Sequence, residues 1–243
     1  MIRFKGLRGA ALVWSACLPS LSGAAEEGRV DQVERADAEA GETELELQLI
    51  HLPPAGGEQA AWAANLTLEH GISDRFSLGI EIETEAEDGA GLEVDTIGLQ
   101  AKWVSPAGAG VRFGIQPGFQ FAPESGDVGS ETFLIAETRA GQIDLVANAV
   151  VATEPGDLDS IALSYGMRAD VSLSGRWIAG LEAGGELSGP EDREGDAHWA
   201  GPVLARKPDD EASIVPAVEL SLFLPLTDDT PDLQLRLELD RAF

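Results

Sequence analysis

Cysteine is nearly absent from this 243-residue sequence, and its one example is Cys17. A chain that had lost its first 25 residues would therefore have no disulfide, no thiolate metal site and no cysteine nucleophile. Histidine is also scarce, with His51, His70 and His198. None of the three stands at a useful spacing from a serine or a second histidine, so the sequence predicts no enzyme, no metal site and no cofactor.

Basic residues are few as well. There are 16 Lys and Arg against 43 Asp and Glu, which gives a formal net charge of -27 at pH 7. Such a charge argues against nucleic acid as a partner. The hydrophobic fraction of 44% is nevertheless ordinary for a folded protein, so the chain is not a disordered acidic polymer.

Long apolar runs are missing too, and the longest lies in residues 1–25. Arg3, Lys5 and Arg8 precede a short apolar stretch, and small residues follow up to Ala25. The stretch is shorter than the roughly 20 apolar residues of a membrane-spanning helix. This order of basic, apolar and small residues is typical of a secretory signal peptide, with cleavage expected after Ala25. Residues 26–42 follow as an acidic segment without periodicity, which we expect in the periplasm.

From residue 43 onward, apolar and polar residues alternate in stretches of about ten residues. RFSLGIEIET, for example, places Phe76, Leu78, Ile80 and Ile82 on one face. Alternation of this kind indicates strands with unlike faces. The sequence predicts twelve strands, at about 43–51, 61–70, 75–84, 92–104, 110–121, 131–139, 142–152, 159–169, 172–186, 196–206, 211–224 and 231–243.

The connections distinguish a barrel from a β-sandwich. Those after odd strands are mostly longer and acidic, as in LPPAGGEQA and TEPGDL, and those after even strands are mostly shorter. A secreted sandwich would also alternate, but this asymmetry is typical of outer-membrane barrels. Residues 43–243 are therefore predicted to form an all-β, transmembrane, antiparallel up-and-down β-barrel of about 12 strands in a Gram-negative outer membrane.

Two strands alternate imperfectly, because Asp95 and Glu137 fall on faces that should be apolar. Either a β-bulge or a position at the membrane interface would accommodate them. The aromatic residues indicate two interfacial belts: Phe133 and Trp199 are among those predicted near the outer ends of their strands, and Phe243 near an inner end.

Polar residues on the other face of these strands are expected to line the lumen, because charges of both signs are costly in hydrocarbon. They are the candidates for setting selectivity, with arginines opposing glutamates. A catalytic set of His198, Arg176 and Glu182 is less favoured than a lumen histidine in a polar network. The candidates are Arg112, Gln116, Gln120, Asn148, Arg168, Arg176, Glu182, His198, Glu219, Arg236 and Glu238.

The C-terminal stretch DLQLRLELDRAF alternates strictly and ends on Phe243. It resembles the recognition signal that outer-membrane proteins present to the barrel-assembly machinery. The residues of this signal here are Leu235, Leu237, Leu239 and Phe243. Arg241 departs from the pattern, which has an apolar or aromatic residue at that position.

The chain from about Glu44 to Phe243 also resembles outer-membrane transporters of the MetA-pathway phenol-degradation family. The matching stretches are GQIDLVANAVVATEPG, HWAGPVLA and LFLPLTDDTPDLQLRLELDRAF. The resemblance implies a barrel with a transport role and leaves the substrate unassigned.

We therefore expect a channel or transporter for small solutes across the outer membrane. Its expected partners are outer-membrane lipid and lipopolysaccharide, the assembly machinery, and the solutes themselves. The alternative is a non-conducting barrel whose acidic extracellular loops bind cations or a partner. An outer-membrane lipid-modifying enzyme is disfavoured, since no nucleophile–base pair is evident.

Overall fold

A computed structural model describes residues 33–53, 61–86, 92–106, 110–187, 197–208, 215–227, 230 and 233–243. The side chains of residues 154 and 158–160 are not among the described parts. The expected signal peptide and residues 26–32 of the expected periplasmic segment lie outside the described residues. So do most of the acidic loop residues, at 87–91, 188–196, 209–214 and 228–229.

The described residues form twelve strands, as the alternation predicted, and among them no helix has the length and hydropathy needed to cross a membrane. The strands are β1 Thr43–Leu52, β2 Ala61–Ser73, β3 Phe76–Ala86, β4 Leu92–Val104, β5 Val111–Phe121, β6 Val128–Ala140, β7 Ile143–Glu154, β8 Asp157–Ser172, β9 Trp177–Leu187, β10 His198–Arg206, β11 Ala217–Pro225 and β12 Gln234–Ala242.

Each strand pairs antiparallel with its neighbours in sequence, and β1 closes the barrel by pairing with β12. Leu47 of β1 stands opposite Leu239 of β12 in this seam. Thr43 and Phe243 exchange two backbone hydrogen bonds of 3.3 and 2.8 Å, so the start of β1 lies beside the C-terminal end of β12. We call this end of the barrel the terminal end and the opposite one the distal end.

The outward face of the barrel is apolar. Leu99, Phe119 and Leu181 expose 60%, 67% and 67% of their surface, and the residues on either side of each point inward. A water-soluble protein rarely exposes so much contiguous apolar surface, whereas a lipid-facing barrel requires it. The predicted transmembrane, all-β barrel is confirmed.

A β-bulge accommodates Asp95. Glu83 of β3 pairs with Thr96, but the next residue, Thr84, pairs with Val94, which leaves Asp95 as the extra residue of β4. Such an insertion restores alternation on both sides of the irregularity. Glu137 has a different explanation, because Phe133 and Ile135 are buried and share the lumen face of β6 with it.

The expected difference in loop length fails at the β7–β8 connection. Strand β7 continues to Glu154 and β8 begins at Asp157, so the predicted TEPGDL loop is a hairpin of Pro155 and Gly156. Gly156 has a φ of 88°, a value that glycine adopts without steric cost. Strand β11 begins at Ala217 rather than at the predicted residue 211, and of the residues between β10 and β11 the structure describes 207, 208, 215 and 216.

Candidate functional site

An ion-paired network crosses the lumen between β8, β9, β11 and β12. The Arg168 guanidinium donates to the two carboxylate oxygens of Glu219 at 2.7 and 2.6 Å. Arg236 donates to those of Glu182 at 2.9 and 2.8 Å. Secondary contacts link the pairs, at 3.4 Å between Arg236 and Glu219 and 3.6 Å between Arg168 and Glu182. All four side chains are buried, so the network is a dense layer of matched charges.

Two further groups complete this network. Asp170 accepts hydrogen bonds from Nε of Arg168 at 2.9 and 3.0 Å. On the other side, the Arg236 guanidinium lies 4.9 Å from the ring centroid of Phe223, which packs against Trp199 at 4.6 Å. Trp199 is 5% exposed, so the prediction that it belongs to an outer aromatic belt is wrong. The cluster places an aromatic wall beside the charges.

Residues 33–38 lie inside the barrel, against the inward faces of β4 to β8, and we call them the luminal segment. The sequence predicts that residues 26–42 lie in the periplasm, but the described part of that segment enters the lumen. Val33 and Ala36 are buried, and their apolar neighbours belong to the barrel wall. These neighbours are Val104, Phe133, Ile135, Val146 and Val150. Phe133 therefore faces the lumen rather than an aromatic belt.

Hydrogen bonds hold the backbone of the luminal segment. The amide of Asn148 bonds Glu34 twice: Oδ1 accepts from the Glu34 N–H at 2.7 Å, and Nδ2 donates to the Glu34 carbonyl at 3.0 Å. Arg112 donates to the carbonyl of Ala36 at 3.0 Å. Asn148 thus binds Glu34 as a neighbouring strand would.

Ion pairs hold the charged side chains of the luminal segment. Lys102 lies 3.3 Å from the Glu34 carboxylate and 3.2 Å from that of Glu69. Arg35 pairs with Asp170 and lies 3.6 Å from Glu137. Each charged side chain of Glu34 and Arg35 therefore meets wall residues of opposite sign.

The described residues enclose several cavities in or at the mouth of the lumen. One, of about 160 Å³, is lined by seven glutamates and a single cation, Lys102. A second, of about 480 Å³, lies between the luminal segment and the ion-paired network. A third, of about 670 Å³, opens at the terminal end beside Gly71 and Arg112. The glutamates of the first cavity are Glu34, Glu44, Glu46, Glu69, Glu81, Glu83 and Glu131.

Nine of the eleven predicted lumen residues lie on inward faces. Gln116 is 2% exposed and donates to the Gln100 side chain at 2.9 Å. Gln120 lines the 160 Å³ cavity, and Glu238 lines the 480 Å³ cavity. The others are the residues described above: Arg112, Asn148, Arg168, Glu182, Glu219 and Arg236. That they set selectivity stays a prediction.

Arg176 and His198 are not lumen residues. Strand β9 begins at Trp177, so Arg176 lies exposed in the β8–β9 turn. His198 alternates with the inward Trp199 and therefore faces outward, where its Nδ1 lies 3.3 Å from the Tyr165 hydroxyl. The rings of Tyr165 and His198 are 5.8 Å apart, an arrangement suited to a membrane interface.

The C-terminal strand has the predicted faces. Gln234 and Arg236 point inward and are buried, and the alternating leucines 235, 237 and 239 point outward with Phe243. Arg241, which departs from the assembly pattern, places its guanidinium 4.7 Å from the Phe243 ring centroid. A cation–π contact thus keeps the aromatic ring oriented despite the charge. The role of these residues in assembly stays a prediction.

Glu34, Arg35 and Asp170 are among the contributors to the lumen that the sequence pattern missed. Asp170 shares the inward face of Arg168, but the predicted strand ended one residue too early, at 169. Glu34 and Arg35 carry no periodic signal. Among the described residues, no group of three or more His, Cys, Asp or Glu side chains is arranged to hold a metal ion.

Comparison with known proteins gives matches at the level of structure. No family model and no curated protein sequence matches the chain. An outer-membrane channel of Pseudomonas putida F1 superposes with a TM-score of 0.65 at 12% identity, covering 88% of this chain and 100% of that one. The KdgM porin gives 0.59 at 10% identity, with 82% and 99% covered. The NanC porin gives 0.57 at 7% identity, with 82% and 98% covered.

At these identities the likeness shows the fold alone. The similar structures are described as porins and as a channel. That the chain is not an enzyme stays a prediction. The resemblance to the MetA-pathway family stays a prediction.

Proposed function

We propose that the chain is an outer-membrane channel for small hydrophilic solutes, with a preference for cations. The observation that carries the proposal is the contrast between the faces of the closed barrel: apolar outside, and charged around lumen cavities inside. An apolar exterior suits lipid, and a polar interior suits dissolved solutes. The structural likeness to porins and to a channel also supports the proposed channel function.

The preference for cations rests on the lining of the 160 Å³ cavity. The glutamates outnumber the single Lys102, and this excess of acidic groups gives a negative potential, which a low-dielectric wall concentrates. The KdgM porin has been described in complex with oligogalacturonate, a polyanion. The acidic lumen of this chain disfavours a polyanion of that kind.

The terminal end, with the entry of the luminal segment, would face the periplasm in this proposal, and the acidic loops would face outward. Lipopolysaccharide and outer-membrane lipid would surround the apolar exterior. The outward leucines and Phe243 of the last strand support the proposal that the barrel-assembly machinery inserts the chain.

Planar-bilayer recordings in a potassium chloride gradient test the proposal. The full chain is expected to give conductance steps whose zero-current potential lies on the cation-selective side. The double variant Glu81→Gln/Glu83→Gln is expected to move that potential towards zero, since two lumen carboxylates are neutralised. Glu124→Gln is the control, because Glu124 lies exposed in the β5–β6 loop.

Two results would count against the proposal. Anion selectivity, or an equal shift in the Glu124 control, would remove the preference for cations. If neither the full chain nor a chain with residues 33–38 replaced by glycine and serine gave conductance steps, the channel function itself would be rejected.

A further inference from the structure

The barrel wall beneath the luminal segment has the features of a peptide-binding site. Asn148 contributes both an acceptor and a donor to the backbone of Glu34, at 2.7 and 3.0 Å. Arg112 binds the carbonyl two residues further along, at Ala36. Backbone recognition of this type is how sheets bind extended peptides, although here side chains on the face of the sheet replace an open edge.

The wall also recognises the side chains of the segment through ion pairs. The acidic Glu34 meets Lys102, and the basic Arg35 meets Asp170 and Glu137. Reversing the order of the two charges would bring Arg towards Lys102 and Glu towards two carboxylates. The site therefore recognises the order of the charged side chains in addition to the peptide backbone.

The shape of the wall matches the two buried apolar side chains of the segment, Val33 and Ala36. A methyl group added at Gly166 would lie 2.9 Å from Val33, and one added at Gly114 would lie 3.5 Å from the β-carbon of Ala36. Ala36 is completely buried. At Gly166 the missing side chain is what allows Val33 to approach, while the space at Gly114 accommodates Ala36 closely.

The attachment of the segment to the barrel is by contrast slight. Residues 39–42 join it to β1 through a turn in which Gly41 has a φ of 83° and donates to the Gly71 carbonyl. The Arg35 side chain remains 35% exposed, so salt and solutes reach its ion pairs. Release requires the loss of the polar contacts described above and of the apolar contacts of Val33 and Ala36, and it leaves all twelve strands paired.

We propose that residues 33–38 are a tethered plug: the wall of β4 to β8 is a binding site for this peptide, and solute passage increases when the peptide leaves it. The inference rests on the proposed channel function for its conductance readout. A tether holds its ligand at an effective concentration of about millimolar, so a plug that is mostly seated needs only a weak intrinsic affinity. Because the plug is mostly seated, the free hexapeptide is expected to bind the vacated site with a dissociation constant of about millimolar or tighter.

A disulfide lock provides the first test. The β-carbon of Ala36 and a β-carbon built at Gly114 are 3.5 Å apart, within the range of about 3.5–4.5 Å found in disulfides. The described residues contain no cysteine, so in the variant Ala36→Cys/Gly114→Cys the two introduced cysteines are the only ones among them that can form a disulfide. We expect the oxidised barrel to conduct several-fold less than the reduced one, reversibly. The single variants are controls and should not respond to oxidant.

A peptide competition provides the second test and needs no conductance. The chain with residues 33–38 replaced by alternating glycine and serine is mixed with a fluorescent Val-Glu-Arg-Ala-Asp-Ala peptide in detergent. Anisotropy should report saturable binding at about millimolar peptide or below, and at least about twofold weaker binding to the full chain, where the tethered segment competes at an effective concentration of about millimolar. The control peptide Val-Arg-Glu-Ala-Asp-Ala has the two recognised charges exchanged and should bind at least several-fold more weakly than the native peptide.

The outcomes separate this inference from the channel proposal. If the barrel conducts equally when locked, reduced or without the segment, the plug is rejected and the channel stands. If the two peptides bind alike, or the full chain binds as well as the variant, the binding site is rejected. If the peptide binds selectively but nothing conducts, the binding site stands, and the channel and the gating of passage are both rejected. Should the replaced chain fail to fold, the disulfide-locked pair still tests the gating.

Discussion

Replacement of Arg236 by methionine is the sharpest test of the ion-paired network. Arg236 is fully buried and donates two hydrogen bonds to Glu182, whose side chain is also fully buried. Removing one partner of a buried ion pair costs about 3–5 kcal/mol, because the other charge remains in a low dielectric. Glu182 would keep only the 3.6 Å contact with Arg168. We therefore expect Arg236→Met to lose about 3 kcal/mol of unfolding free energy, the lower end of that range.

The measurement is urea unfolding of the barrel in lipid vesicles, followed by tryptophan fluorescence. Two controls accompany it. Arg236→Met/Glu182→Met removes both charges and should recover most of the lost stability, since a buried pair replaced by apolar side chains is often neutral. Arg139→Met breaks an exposed ion pair with Asp144 at the terminal end and should leave the unfolding midpoint unchanged.

A loss of less than about 1 kcal/mol in Arg236→Met would show that water reaches Glu182, because a solvated carboxylate costs little when its partner leaves. The reasoning would then be refuted, and the network would be better described as part of an open lumen. A double variant as unstable as the single one would also refute it, since the cost would then come from packing against Phe223 rather than from charge.

The remaining predictions concern assembly and the luminal segment. Phe243→Ala should reduce the amount of assembled, heat-modifiable barrel in the outer membrane, whereas Arg241→Leu, which restores an apolar position, should not; equal amounts for all three chains would show that the terminus carries no signal. Gly71→Ala should raise the conductance, because the added methyl group would lie 1.9 Å from the Glu39 carbonyl and displace the turn below the plug. Gly118→Ala, whose methyl group has only ordinary contacts, is its control, and equal conductance in the two would contradict the expectation.

The twelve strands were predictable because side chains alternate strictly between lipid and lumen. Boundaries moved by a few residues, which was enough to hide Asp170 beyond the predicted end of β8. The faces of β10 were not predictable in the same way. His198 is polar and Trp199 is apolar, so the pattern favours His198 inside. The structure reverses them because the Trp199 ring lies over Gly184 and against Phe223, where a side chain at residue 184 would not fit.

The luminal segment could not be predicted because it has no period and follows an expected signal peptide. The sequence nevertheless contains one indirect indication of the luminal segment, in the imperfect alternation of β6. Phe133, Ile135 and Glu137 share the inward face of that strand. An open aqueous lumen would leave two large apolar side chains in water. An apolar pair on a face that also carries a charge therefore indicates that something covers the pair.

The ion-paired network and the luminal segment both occupy the lumen, but they are attached to the barrel differently, and this difference decides which of them can move. The network of Arg168, Glu182, Glu219 and Arg236 consists of side chains fixed to four strands of the closed barrel. Opening it would place unpaired charges in a buried layer, or require the strands to separate. The luminal segment is attached through one turn, and its withdrawal breaks no strand pairing. The network therefore acts as a fixed wall that narrows the lumen, and the path that can widen runs along β4 to β8, where the segment lies.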